Sequence, residues 1–234
     1  MGSRRDSRAR TTYRYDGYDR LTQITKENSG EEWTLTYDQA GQLTAKTNGT
    51  LTYSYTYNPA GQLVKAWLNG QLIAQYWYGP EGSRIKAWEN GVETISIGEY
   101  RIQGQTRTIE VLGFARLVNR SLRFLVRDLQ GSVRLKLGEQ AQTLFRCEYT
   151  PYGIPYNAEG LEEYLYNGKQ YNPGTGLYHY GWRYYDPETG RFTTPDKRLS
   201  LGVLGLNLYI YCLDNPLLYI DPSGRARKYA YWDM

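Results

Sequence analysis

Asn48-Gly49, Asn69-Gly70 and Asn90-Gly91 recur at equal spacing, 21 residues apart, and Tyr37, Tyr57 and Tyr78 each stand four residues ahead of a glycine, Gly41, Gly61 and Gly82. An Asn-Gly pair supplies the two positive-φ positions of a type I′ turn, and Tyr-x-x-x-Gly marks a wider turn with glycine at its left-handed position. A chain that reverses twice per period has room only for two short strands between reversals. It is committed to a series of β-hairpins in which each unit contacts mainly its neighbours.

The strands between the turns alternate. Leu51, Tyr53, Tyr55 and Tyr57 fall on one face and Thr50, Thr52, Ser54 and Thr56 on the other; Trp33, Leu35 and Tyr37 alternate with Glu32, Thr34 and Thr36 in the same way. This period of two predicts one packed and one wet face. An earlier copy, Tyr15 to Thr22, carries Asp19 where later copies have glycine, and aspartate is among the few residues that enter the left-handed region readily. The repeat is expected to start near Thr12. With 25 Tyr, 25 Gly, 6 Trp and only 4 Phe, the apolar area comes from rings with a polar tip. The expected fold class is all-β, a single continuous hairpin sheet.

Other features narrow the function. Residues 1–11 are read as a disordered basic tail: Arg4, Arg5, Arg8 and Arg10 have no apolar run behind them, so no signal peptide is seen. A nucleic-acid-binding arm is the alternative, and a net charge of +4 with no further basic motif argues against it. No nucleic acid and no membrane span are expected, because the apolar runs around Leu201 to Leu218 are broken by Gly, Asn and Asp. Cys147 and Cys212 lack partners at metal-ligand spacing and read as buried thiols, with a disulfide left open. No metal and no cofactor are expected. His179 is the only histidine and reads as a strand residue, which removes most routes to a histidine-activated nucleophile.

Residues 92–123 keep apolar alternation, as in Thr94 to Ile97 and Thr108 to Leu112, without the fixed turns, and read as degenerate repeats. Three distinctive stretches follow: Arg127-Asp128-Leu129-Gln130-Gly131-Ser132-Val133-Arg134, then Tyr149-Thr150-Pro151-Tyr152-Gly153, then a block from Tyr166 to Gly224. That block holds Tyr166-Asn167-Gly168-Lys169-Gln170-Tyr171, Gly176-Leu177-Tyr178, Arg183-Tyr184-Tyr185-Asp186-Pro187, Gly190-Arg191-Phe192, Asn207-Leu208-Tyr209, Asn215-Pro216 and Asp221-Pro222-Ser223-Gly224.

The tyrosine-glycine repeats resemble the YD repeats of bacterial Rhs proteins, and the later stretches resemble, in order, the Rhs repeat-associated core that closes the array. The resemblance covers nearly all of residues 13–224. It implies a spiralling β-sheet shell, or cocoon wall, over 12–123 and a core plug over 124–224, followed by a short remnant, 225–234. In that family the shell encloses a C-terminal toxin. The core resembles an aspartate self-protease that cuts just beyond Asp-Pro-x-Gly, one carboxyl holding a proton while the other activates water. The resemblance places the pair at Asp196 and Asp221, a supporting arginine at Arg183, and the scissile bond after Arg225. Two departures are visible: Asp196 is followed by Lys197-Arg198-Leu199 in a lengthened loop, and Arg225 puts a charge where the family has an apolar residue.

Plainer readings stand beside these. Asp221-Pro222-Ser223-Gly224 and Asp186-Pro187-Glu188-Thr189-Gly190 are well-formed turn sequences, and Arg183 could pair with Asp186 or lie over a tyrosine ring. Because little follows Gly224, the chain is read as a truncated, cargo-less remnant whose partners would be its own toxin, absent here, and a secretion or toxin-complex component. The products of such a family are cytoplasmic before export and then secreted or on the cell surface. The competing reading is a non-catalytic carbohydrate- or cell-surface-binding module offering Tyr53, Tyr55, Tyr57, Tyr76, Trp77, Tyr78 and Trp88. Binding requires exposed, coplanar rings, whereas a shell buries them.

Overall fold

The wide turns form as their sequence dictates. In a computed structural model that describes residues 10–197, 207–225 and 228–230, Gly41, Gly61 and Gly82 have φ near +80° (78, 82 and 81°). Each donates its N–H three residues back, to Asp38, Asn58 and Gly79. Asp19 adopts the same conformation at φ 57° and closes the same bond to Asp16. Each such turn inserts a bulge, at Thr36/Tyr37, Thr56/Tyr57 and Trp77/Tyr78.

Sixteen strands result, paired antiparallel in chain order. They are β1 (Thr11–Tyr15), β2 (Leu21–Lys26), β3 (Glu31–Tyr37), β4 (Leu43–Thr47), β5 (Thr52–Tyr57), β6 (Leu63–Leu68), β7 (Gln71–Tyr78), β8 (Arg84–Glu89), β9 (Val92–Ile97), β10 (Tyr100–Gln103), β11 (Thr106–Val111), β12 (Ala115–Val118), β13 (Ser121–Arg127), β14 (Val133–Leu137), β15 (Thr143–Tyr149) and β16 (Pro155–Gly160). The remaining strands are short: β17 (Gln170–Asn172), β18 (Leu177–His179), β19 (Tyr184–Asp186) and β20 (Arg191–Phe192) in one sheet, with β21 (Tyr219–Ile220) and β22 (Lys228–Tyr229) as a separate pair.

Two expectations, one about a turn and one about the N-terminus, need correction. Asn69-Gly70 and Asn90-Gly91 are type I′ turns with both residues at positive φ, but at Asn48-Gly49 only the glycine is. There the Asn48 carboxamide oxygen accepts from the N–H groups of Thr50 and Leu51, a local alternative that widens the loop. Residues 92–123, which lack the fixed turns of the earlier repeats, reverse by other means: Gly98 and Gly104 take positive φ at the head of two-residue reversals, and Asn119-Arg120 makes a left-handed pair with no glycine at all. The expected tail reaches Thr11, which already pairs with Lys26 in β1; residues 1–9 lie outside the described residues.

The sheet is strongly curved. Laid flat, sixteen strands at about 4.8 Å per strand would span roughly 70 Å. Yet the β19–β20 hairpin touches both ends of the strand order, through Arg191 to the Tyr15 hydroxyl of β1 at 3.3 Å and through the Tyr185 hydroxyl to the Tyr152 carbonyl beyond β15 at 2.9 Å. The sheet therefore wraps the segment that follows residue 160. Its inner face over β2–β8 is apolar: Ile24, Trp33, Leu35, Tyr55, Ala66, Ala74, Tyr76 and Ala87 pack with Leu177 and Tyr184 of the enclosed segment. Leu125, Val133, Phe145 and Cys147 form a second core with Tyr166, Tyr178, Tyr185, Phe192 and Tyr211.

The preference for tyrosine over phenylalanine has a geometric cause. The repeat tyrosines Tyr37, Tyr57 and Tyr78 donate to the carbonyls of Leu21, Leu43 and Leu63, each at the start of the second strand of the preceding hairpin, and Tyr149 does the same to Val133. Tyrosines of the enclosed segment reach the wall's turns: Tyr166 to Pro151, Tyr178 to Gly153 and Tyr209 to Gly41. Each ring buries apolar area while its hydroxyl satisfies a backbone acceptor. Cys147 and Cys212 are both buried and neither is joined in a disulfide, which removes that alternative. No helix among the described residues is long and apolar enough to cross a membrane.

Candidate active site

Arg183 lies between Gly181, whose φ of 93° turns the chain out of β18, and the start of β19. Its guanidinium sits 3.7 Å over the Phe192 ring and is almost wholly buried, so its hydrogen bonds must come from the protein. Nε donates to the Gly224 carbonyl and Nη1 to that of Leu208. Nη2 faces two carboxylates, Asp196 Oδ2 at 3.0 Å and Asp221 Oδ2 at 3.5 Å. All three side chains are under a tenth exposed. Burial lowers the guanidinium from its ordinary value, and the two carboxylates work against that shift.

The three residues singled out from sequence are thus brought together by structure. Asp196 is fixed by its own backbone, its N–H donating to the Leu208 carbonyl. Asp221 is both turn and site residue. Oδ1 accepts from the N–H groups of Ser223, Gly224 and Arg225, as its turn sequence demands, while Oδ2 turns to Arg183. The pairing of Arg183 with Asp186 does not occur; Asp186 is bound instead to Lys46.

Gly224 is required here. At φ 71° any side chain is strained, and a Cβ would lie 3.1 Å from Tyr180 Cβ and 3.2 Å from the Arg183 nitrogen. Arg225 is not left as a buried unpaired charge: its guanidinium stacks on Trp182, 3.0 Å from the ring centroid. The Arg225–Ala226 bond runs into residues 226–227, outside the described residues, as do 198–206 of the lengthened loop. On the far side the chain returns as β22, with Tyr229 opposite Tyr219 and Lys228 opposite Ile220. Arg183, Asp196, Asp221, Arg225, Tyr219 and Tyr229 line one cleft of about 470 Å³.

Sequence reasoning missed Trp182, Phe192 and Tyr229. Phe192 belongs to the quoted Gly190-Arg191-Phe192 stretch, and Trp182 adjoins Arg183, but nothing local signals that either ring carries a guanidinium. Lys169, in the Tyr166–Tyr171 stretch, donates to the Pro222 carbonyl; burial lowers its ammonium. His179 ends β18 as a strand residue, its ring 5.0 Å from that of Tyr184 and away from the aspartates' cleft. Among the described residues no cluster of three or more His, Cys, Asp or Glu is placed to hold a metal.

Comparison with known proteins agrees with this architecture. The RHS Repeat family model matches residues 37–66. The chain is 35% identical over 140 residues to Toxin subunit YenC1 of Yersinia entomophaga, covering 56% of this chain and 14% of that protein. It is 28% identical over 230 residues to the tRNA3(Ser)-specific nuclease WapA of Bacillus spizizenii, covering 94% of this chain and 9% of the nuclease. Among solved structures, the Photorhabdus luminescens Tc holotoxin pore superposes with a TM-score of 0.72 at 21% identity over 94% of this chain and 14% of that one. The crystal structure of TcdB2-TccC3-TEV gives 0.71 at 23% identity over 92% of this chain and 13% of that one. These structures share the fold, and the chain spans about a seventh or less of each protein it matches here.

Proposed function

Since the chain is an Rhs, or YD-repeat, protein with a toxin-type shell fold, we propose that it forms a stretch of shell wall with its closing plug, and that Asp196, Asp221 and Arg183 cut the chain after Arg225. The observation that carries the second part is the bridging of two buried carboxylates, far apart in sequence, by a single guanidinium. In the reaction water adds across the Arg225–Ala226 amide. One carboxylate accepts a proton from the water while the other, protonated, donates to the leaving nitrogen; Arg183 stabilises the charge that develops. Asp221 Oδ1, holding three backbone N–H groups, fixes the segment that ends at the bond.

The division of wall from plug at residue 124 belongs to this proposal, although the sheet itself runs on through β13 to β16. The partners that follow are a toxin segment enclosed by the shell, another toxin-complex component and an export route. Most of the rings named for the sugar-binding alternative are already engaged within the sheet. Tyr55 and Tyr76 are buried, the Tyr57 and Tyr78 hydroxyls are bound to backbone, and Lys86 covers Trp77.

The test is the intact mass of the chain carrying a reporter domain after Met234, incubated at neutral and mildly acidic pH. We expect loss of the reporter at the bond after Arg225. Asp196→Asn and Asp221→Asn should each abolish the cut; asparagine keeps the oxygen that serves the 221–225 turn. An uncut parent chain, or cutting unchanged in both variants, overturns the proposal.

A further inference from the structure

The main chain leading to the bond after Arg225 is held by contacts that do not depend on which residue stands there. The Trp182 N–H donates to the Ser223 carbonyl at 3.2 Å, Arg183 Nε donates to the Gly224 carbonyl, and Asp221 Oδ1 accepts from the Arg225 N–H at 3.1 Å. Every residue but proline carries the same backbone groups, so these bonds place position 225 without choosing its side chain.

The side chain meets a surface that does choose. The Arg225 guanidinium lies over the face of the Trp182 indole, 3.0 Å from the ring centroid. The edge of that indole rests on the wall: an added Cβ at Gly82, in the turn between β7 and β8, would lie 2.9 Å from Cη2 and 3.0 Å from Cζ3. Gly82 is itself tied down, its carbonyl accepting from Gln62 Nε2 at 2.8 Å. An indole face attracts a cation, and a planar, weakly hydrated guanidinium stacks on it better than an ammonium does. Leucine would bring the ring no charge, and lysine no plane.

We propose that Trp182 sets the specificity of the cut: braced by the Gly82 turn, it is the seat for the side chain before the scissile bond, and it selects arginine there. This rests on the cleavage reading above. Trp182 is not among the residues that line the aspartates' cleft, whereas Arg225 is, so it acts as a positioning residue through Arg225.

The reporter fusion tests this by rates. Trp182→Leu and Arg225→Leu should each slow loss of the reporter about tenfold, with Trp182→Phe, which keeps a ring face, and Arg225→Lys, which keeps a charge, slowing it less. Adding Trp182→Leu to Arg225→Leu should slow it no further. A tryptophan with a merely structural role would slow the arginine and leucine chains by the same factor, and that result overturns the proposal while leaving the cleavage reading intact.

A second measurement needs no cutting. In the Asp196→Asn chain, which should keep its reporter, urea unfolding with Trp182→Leu, with Arg225→Leu and with both should show the two side chains coupled by about threefold or more in the folding constant. Independent effects on unfolding overturn the seat even where the parent chain cuts. A parent chain that stays uncut while the coupling is present sinks the cleavage reading and the specificity built on it, and leaves Trp182 as a structural contact of Arg225.

Discussion

Lys46 on β4 and Asp186 on β19 meet at 2.8 Å with side chains 6% and 4% exposed, tying the wall to the enclosed segment across 140 residues of sequence. Glu188 adds a second carboxylate at 2.9 Å, and the ammonium lies 5.0 Å from the Trp33 ring centre. Removing the lysine leaves a buried carboxylate facing aromatic rings. Lys46→Met is expected to destabilise the fold by about 3 kcal/mol or more, because breaking one side of a buried pair costs more than the pair itself contributes. Urea unfolding measures it, and a loss comparable to that of an exposed salt bridge would show that the pair does not hold the layers together.

The same pair and the buried tyrosines set an alkaline limit. Burial alone would lower the Lys46 ammonium, but Asp186 and Glu188 outweigh it and hold it above its usual range. Burial raises Tyr55, Tyr76 and Tyr178 well above the ordinary phenol value and pushes Tyr209 and Tyr171 up to about 12. For every one of these groups the folded value exceeds the unfolded one. Their contribution is therefore complete below about pH 10, where the unfolded chain begins to lose protons, and is lost as pH rises through the folded values. Denaturation midpoints should fall steeply above about pH 10; a midpoint flat across that range contradicts the buried-ring core.

How much of this was legible in the sequence follows from how locally each feature is encoded. Gly41, Gly61 and Asp19 carry their own backbone conformation, so the period and the hairpins could be read directly. Asn48 could not, because its carboxamide competes with the I′ turn by binding Thr50 and Leu51. The alternation in Thr94 to Ile97 showed a strand but not which way its isoleucines point; that depends on pairing through to β8. Asp196, Asp221 and Arg183 were legible through ordered motifs. The Lys46–Asp186 contact leaves no local pattern, since neither residue's neighbours depend on the other.

The tyrosine hydroxyl ladder predicts a cost for deleting one oxygen. Tyr78 donates to the Leu63 carbonyl at 2.6 Å, and Leu63 is 1% exposed, so water cannot easily replace the donor. Tyr78→Phe should cost about 1–2 kcal/mol, the loss of a hydrogen bond plus an unsatisfied buried acceptor. Tyr18→Phe, at a ring 80% exposed, should be neutral. Equal effects in the two variants, read from chemical denaturation, would mean that the ladder contributes nothing.

His179 sets an acid limit. Burial, with Arg84 and Lys169 nearby, holds its imidazole well below the ordinary value, and Nε2 is buried without a hydrogen-bond partner. Here the folded value lies below the unfolded one, so the stability linked to this group is complete above about pH 6.5 and is lost as pH falls. His179→Phe, which keeps the ring beside Tyr184, should flatten stability between about pH 6.5 and 5 relative to the parent chain. If the two profiles remain parallel, the acid sensitivity has another origin.

Gly224 gives the sharpest local test of the aspartate cleft. Its carbonyl accepts from Arg183, its φ is 71°, and an added Cβ would press on Tyr180 and on the Arg183 backbone. Neither neighbour is the free end of a flexible side chain, so the strain must be taken up by the turn or by the arginine. Gly224→Ala should lower stability by about 1–2 kcal/mol and shift Arg183 away from the two carboxylates. In the reporter fusion it should slow cutting more than Ser223→Ala, whose side chain lies outside the Arg183 contacts. Stability lost with cutting unchanged would leave Gly224 as a turn residue alone and place the bond-breaking geometry elsewhere in the chain.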